Sequence, residues 1–161
     1  MDKMPILAVI FQGIPESIVL FSFGIAIIGE YINIKKVVLI AILYTLLVMY
    51  IRSIVPYFGL HIIIVLFIQA FIYWKIFNIE VKNSVLSTIL GMSVLILLET
   101  LILPIFYTTF GTTMLETFKN ETQRILYPLP VILLFGLITF MIYKTKWSII
   151  KGKRNALNEI R

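Results

Sequence analysis

The sequence predicts an all-α polytopic membrane helix bundle with about five transmembrane helices, and three observations predict it. Of 161 residues, 60% are hydrophobic and only 14% are charged, against about 25% charged in soluble domains. Mean hydropathy is +1.03. Apolar runs of about twenty residues recur, the length that crosses a hydrocarbon core of roughly 30 Å. Backbone amides in lipid must be satisfied within the segment, so these runs read as helices.

The spans fall at about 5–28, 36–55, 58–77, 83–107 and 125–143. The first lacks a small-residue cleavage pattern and further spans follow it, so it reads as a retained helix rather than a removable signal. The second ends at Pro56-Tyr57-Phe58-Gly59. Proline stops a helix and glycine accepts turn geometry, which makes spans two and three an antiparallel hairpin. Span four carries Pro104. The longest loop, 108–124, contains Thr113-x-x-Glu116, which reads as a capping box opening a short amphipathic helix through Met114, Leu115 and Phe118, or as a plain connector. Asn120-Glu121-Thr122 matches the glycosylation pattern but carries meaning only in a secretory context. The chain divides into a bundle over 1–147 and a tail over 148–161, a basic anchor or the start of a signalling helix. In that tail Ile149, Ile150, Leu157 and Ile160 are available for helical packing, with Gly152 as a soft joint.

The net charge is +6, but the basic residues gather at span ends and in the tail. That distribution points to membrane orientation and anionic lipid rather than nucleic acid. Lys35, Lys36, Lys75, Lys82, Lys144, Lys146, Lys151, Lys153, Arg154 and Arg161 fall on one side; Lys3, Arg52, Lys119 and Arg124 fall on the other. The excess places the amino terminus outside and the carboxyl terminus in the cytoplasm of a multi-pass plasma-membrane protein. Trp74 and Trp147 then sit at the inner interface.

Six polar residues inside the spans form the candidate site: Gln12, Glu16, Arg52, His61, Gln69 and Glu99. A charge at mid-membrane costs about 2.5–3.5 kcal/mol on insertion scales, so such groups face partners inside a bundle. Glu16 lies near the middle of span one, and Arg52, His61 and Glu99 lie in the outer halves of theirs. Arg52 is expected to bridge Glu16 and Glu99 through its planar fork. Gln12 shares a face with Glu16, while Pro15 and Pro104 free carbonyls one turn earlier. Two readings compete: a buried lock that fixes helix register, and an outward-facing ligand pocket or titrating switch. His61 is equally an interfacial residue at a helix start, and Gln69 is interhelical glue before it is a ligand contact.

Cysteine is absent and histidine single, which removes thiolate chemistry and leaves no set with metal-ligand spacing. No cofactor is expected. With no base near Ser17 and no nucleotide-binding motif, the chain reads as a non-enzyme.

The run Gln12-Gly13-Ile14-Pro15-Glu16, then Arg52-x-x-x-Pro56-x-x-Gly59-x-His61, then Glu99 with Pro104, resembles the amino-terminal membrane region of bacterial multi-span sensor histidine kinases, similar to quorum-sensing peptide receptors. The resemblance implies a membrane sensor that detects a peptide, lipid or small molecule and signals through a homodimer or a cytoplasmic partner. Neither a phosphorylatable histidine region nor an ATP-binding region falls within these residues, so kinase activity does not carry over. The alternatives are a solute-binding membrane subunit of a transporter and a ligand-free scaffold.

Overall fold

A computed structural model describes residues 6–55, 59–109, 111 and 121–150. Among these the secondary structure is helical throughout: α1 (Ile6–Ala8), a π turn (Val9–Gly13), α2 (Ile14–Ile27), α3 (Ile34–Ile54), α4 (Leu60–Lys75), α5 (Val81–Thr109), α6 (Glu121–Leu126) and α7 (Leu129–Thr145). Three apolar segments, Val9–Ile27, Ile34–Ile54 and Val81–Thr109, are long enough to cross a membrane, and α4 and α7 are shorter apolar helices. At 1.5 Å per residue α4 extends about 24 Å and α5 about 44 Å.

Local chemistry sets the ends. Helix α2 stops in a Schellman motif, with Gly29 at φ 75°. There Glu30 N–H donates to the Ile25 carbonyl and Gly29 N–H to that of Ala26. Helix α3 opens on Asn33, whose side-chain oxygen accepts from Lys36 N–H at 3.2 Å. Gly59, at φ 96°, turns the chain into α4, and its carbonyl receives Ile62 and Ile63 N–H. Pro130 sits in the first turn of α7, where its missing N–H costs nothing.

Helix α2 is the axis of the bundle. It packs on α3, α5 and α7, and every residue from Leu20 to Ile27 is buried. A helix apolar on all sides belongs inside a helical array. Phe21 wedges between α3 and α4, meeting Tyr44 and Tyr73 edge-on at 5.0 and 5.4 Å. Small residues let α5 approach: Ser84, Ser87, Thr88 and Gly91 are all buried. Ser87 donates to the Gly24 carbonyl at 3.0 Å, and a side chain at Gly24 would collide with Tyr73. This is the small-residue packing that membrane helices use in place of a hydrophobic driving force.

The expected hairpin is present. Lys36 Nζ near the start of α3 donates to the Ile76 carbonyl at the end of α4, and the Tyr44 hydroxyl donates to Gln69 Oε1 at 3.4 Å. Numbers rise along one helix as they fall along the other, so the pair is antiparallel. The two backbones meet at few points, because polar side chains and Phe21 hold them apart.

Leu39, Leu43, Phe67, Ile89, Leu97, Leu101, Leu133 and Phe140 are among the large apolar side chains that face outward from α3, α4, α5 and α7. Monomeric soluble proteins rarely expose contiguous apolar patches beyond a few hundred Å². Such a belt, beside three helices long and apolar enough to cross a membrane, suggests an integral membrane protein.

Only the first residues of the tail, 148–150, are described. Helix α7 ends at Thr145, and Lys146 takes the left-handed conformation at φ 58°. Residues 147–150 are not helical, and Ile149 N–H donates to the Ile27 carbonyl at 2.8 Å. A continuous helix running from span five through Ile149 and Ile150 is therefore excluded. The chain turns back instead to satisfy a carbonyl that the end of α2 leaves open. Gly152, Leu157 and Ile160 lie outside the described residues, as do the turn residues Pro56 to Phe58 and the Thr113-x-x-Glu116 box.

Candidate functional site

The site is organised by Pro15. Its nitrogen carries no hydrogen and its ring excludes the carbonyl four residues back, so an α-helical ladder cannot run through it. The chain widens into the π turn Val9–Gly13, in which Ile14 N–H reaches back five residues to Val9. Such bulges recur at functional sites because they rotate and expose groups that a regular helix buries.

Gly13 closes that turn against α3. A Cβ there would lie 2.7 Å from Thr45 Cγ2, so only glycine permits the approach. The Thr45 hydroxyl shares its proton between the carbonyls of Ala41 at 2.8 Å and Gly13 at 3.2 Å. With that proton engaged, Ser17 donates to the Thr45 oxygen at 2.9 Å. This knot fixes the rotation of the segment that carries Gln12 and Glu16, both half-buried.

Glu16 has Glu99 of α5 and Arg52 of α3 as electrostatic neighbours, and Arg52 also acts on Glu99. Tyr44 feels both Glu16 and Arg52. Three of the six candidate residues thus share one field, with Tyr44 as an added member. Among the described residues no ion pair joins Arg52 to Glu16 or Glu99, the bridge expected of its fork. Arg52 occupies an exposed position, two turns or about 12 Å of helix rise beyond Tyr44, and acts on the carboxylates through space.

Gln69 joins through Tyr44. It is fully buried and accepts the Tyr44 hydroxyl, while its Nε2 amide finds no acceptor among the described residues. His61 is the second residue of α4 and half-buried, eight residues or about 12 Å before Gln69. Among the described residues no group of three His, Asp or Glu side chains is placed to hold a metal ion.

No family model matches the chain. No curated protein and no solved structure matches it either. The site stands on its own geometry: two carboxylates against one guanidinium leave surplus negative charge when all three are ionised. A proton, or a cationic group on a ligand, balances it.

Sequence reasoning singled out the charges but not the residues that place them. Tyr44, Thr45, Tyr73 and the Ser87–Gly91 stripe were the missing parts. The stripe had a signal, since Ser87-x-x-x-Gly91 is a small-residue repeat of the kind that marks helix contacts. Thr45 had none, because its role depends on the glycine that faces it.

Proposed function

We propose that the chain is a membrane-embedded sensor module, oriented with its amino terminus outside and its tail in the cytoplasm. One observation supports this above the rest. Glu16, in the first turn of α2, has Glu99 and Arg52 as electrostatic neighbours, and the opposite end of the same helix holds the chain after α7 through Ile149 N–H and the Ile27 carbonyl. A protonation or binding event that shifts the π turn moves α2 against its neighbours, and the tail is attached to the helix that moves. The chain has no catalytic role in this reading; a cytoplasmic partner or a second copy reads the tail.

Amide hydrogen exchange of the full chain in lipid tests it without knowledge of the ligand. Glu16→Gln, which changes the cluster charge with little change of shape, is expected to alter protection of the Ile149 amide and of the end of α2. Unchanged exchange there, alongside altered exchange around Gly13 and Thr45, would reject coupling between cluster and tail.

A further inference from the structure

A second site lies at the other end of α2 and uses none of the cluster. Between α2 and α7 a cavity of about 410 Å³ is lined by Ile18, Val19, Ser22, Gly136, Thr139 and Phe140, and is completed near the helix ends by Ile32, Ile34 and Tyr143. Its polarity is graded. Ile18, Val19 and Gly136 make the end farthest along the helices from Tyr143 wholly apolar. Ser22 and Thr139 occupy the middle, and Tyr143 stands at the mouth. Lys35 and Lys144 follow directly in sequence on two mouth residues, and the Lys144 ammonium lies 6.0 Å from the ring of Phe140 on the cavity wall. Glu30 is the acidic residue on the adjoining α2–α3 connection.

Ser22 decides what such a gradient is for. It is 8% exposed and lines the cavity, yet its hydroxyl makes no hydrogen bond among the described residues, whereas Thr139 donates to the Phe135 carbonyl at 2.8 Å. A hydroxyl that faces a mostly apolar groove gains free energy when an occupant brings it an acceptor. We infer that this groove binds one anionic glycerophospholipid, with an acyl chain along Ile18, Val19 and Gly136, an ester carbonyl accepting from Ser22, and the phosphate between Lys35 and Lys144. The order of chemistry along the groove, apolar, then donor, then cation, is the order along that lipid read from chain to headgroup. Charge complementarity selects the anionic class, since lysines beside a membrane surface attract anionic headgroups. The inference holds for either orientation of the bundle and does not rest on the sensor reading.

Native mass spectrometry of the purified full chain, released from nanodiscs of equimolar dioleoyl phosphatidylglycerol and dioleoyl phosphatidylcholine, tests it. One phosphatidylglycerol is expected to be retained over phosphatidylcholine by roughly thirtyfold, the scale set by two surface lysines. Lys35→Gln with Lys144→Gln should abolish the headgroup preference while leaving the fold intact. Ser22→Ala should weaken retention of both lipids, and Gly136→Leu should block the groove to both. Equal retention of the two lipids by the parent chain overturns the proposal, as does phosphatidylglycerol retention that survives the double lysine change. A dimer that forms regardless of headgroup and is lost in Gly136→Leu would show that a second copy fills the groove, and would equally overturn it.

Discussion

Glu16, Arg52 and Glu99 act on one another electrostatically, with no ion pair between Arg52 and either carboxylate among the described residues, and that sets the size of what their removal does. A buried contact pair broken on one side costs about 3–5 kcal/mol. Charges that interact across a gap couple by about 0.5–2 kcal/mol. A double-mutant cycle of Arg52→Met with Glu99→Gln, read by unfolding in mixed micelles, is expected to give a coupling in the lower range. Strictly additive effects would remove Arg52 from the cluster. The glycines give a sharper contrast. A Cβ at Gly24 would stand 2.1 Å from the Tyr73 hydroxyl oxygen, whereas one at Gly136 meets nothing nearer than 3.6 Å. Gly24→Ala should therefore destabilise by about 1–3 kcal/mol, and Gly136→Ala should be neutral or stabilising by up to about 1 kcal/mol. The charges were legible in the sequence because lipid makes each one conspicuous. Tyr44 and Tyr73 were not, because a tyrosine in an apolar span is ordinary until the faces it joins are known.

At the scale of elements, the helices were legible from hydropathy and punctuation. Pro56 and Gly59 announced the α3–α4 hairpin, and Pro15 announced a disturbed first helix, though not that the disturbance would be a π turn. The tail stayed open in the sequence between a basic anchor and a signalling helix, and the Ile149 amide, claimed by the end of another element, is a contact that hydrophobic periodicity does not announce. The hairpin itself is joined by the Tyr44 and Gln69 side chains. Tyr44→Phe strands the Gln69 oxygen, and interhelical hydrogen bonds in bilayers average about 0.6 kcal/mol with a ceiling near 1.7. Adding Gln69→Leu to Tyr44→Phe removes both the stranded oxygen and the amide that lacks an acceptor. The double variant is expected to be more stable than Tyr44→Phe alone; a less stable double variant would mean that the amide has a partner.

For the whole molecule, the arrangement around α2 could not be read from the sequence. Every span is apolar on most faces, so hydropathy does not rank them, and centrality emerges only where Gly13, Gly24 and Gly91 admit their neighbours. The orientation proposal is open to direct measurement, since the chain contains no cysteine. Single cysteines at Thr109 and at Lys82, the two ends of α5, are expected to differ. In intact cells an impermeant thiol reagent should modify the first and spare the second. The reverse pattern would invert the topology and move the cluster to the cytoplasmic half.

The central helix also precedes in the chain the helices that enclose it. It is the least apolar of the three long segments and carries Gln12 and Glu16, yet α3, α5 and α7 are all translated after it. During synthesis α2 must wait, its acid and its open carbonyls lacking the tyrosine, arginine and hydroxyl groups that later satisfy them. Membrane integration of this protein is therefore expected to be a delayed, collective event, with α2 held at the translocon or exposed to water until its neighbours emerge. Nascent chains halted after Ile54 should leave a cysteine at Val19 open to aqueous reagents, and chains extended past Thr145 should close it.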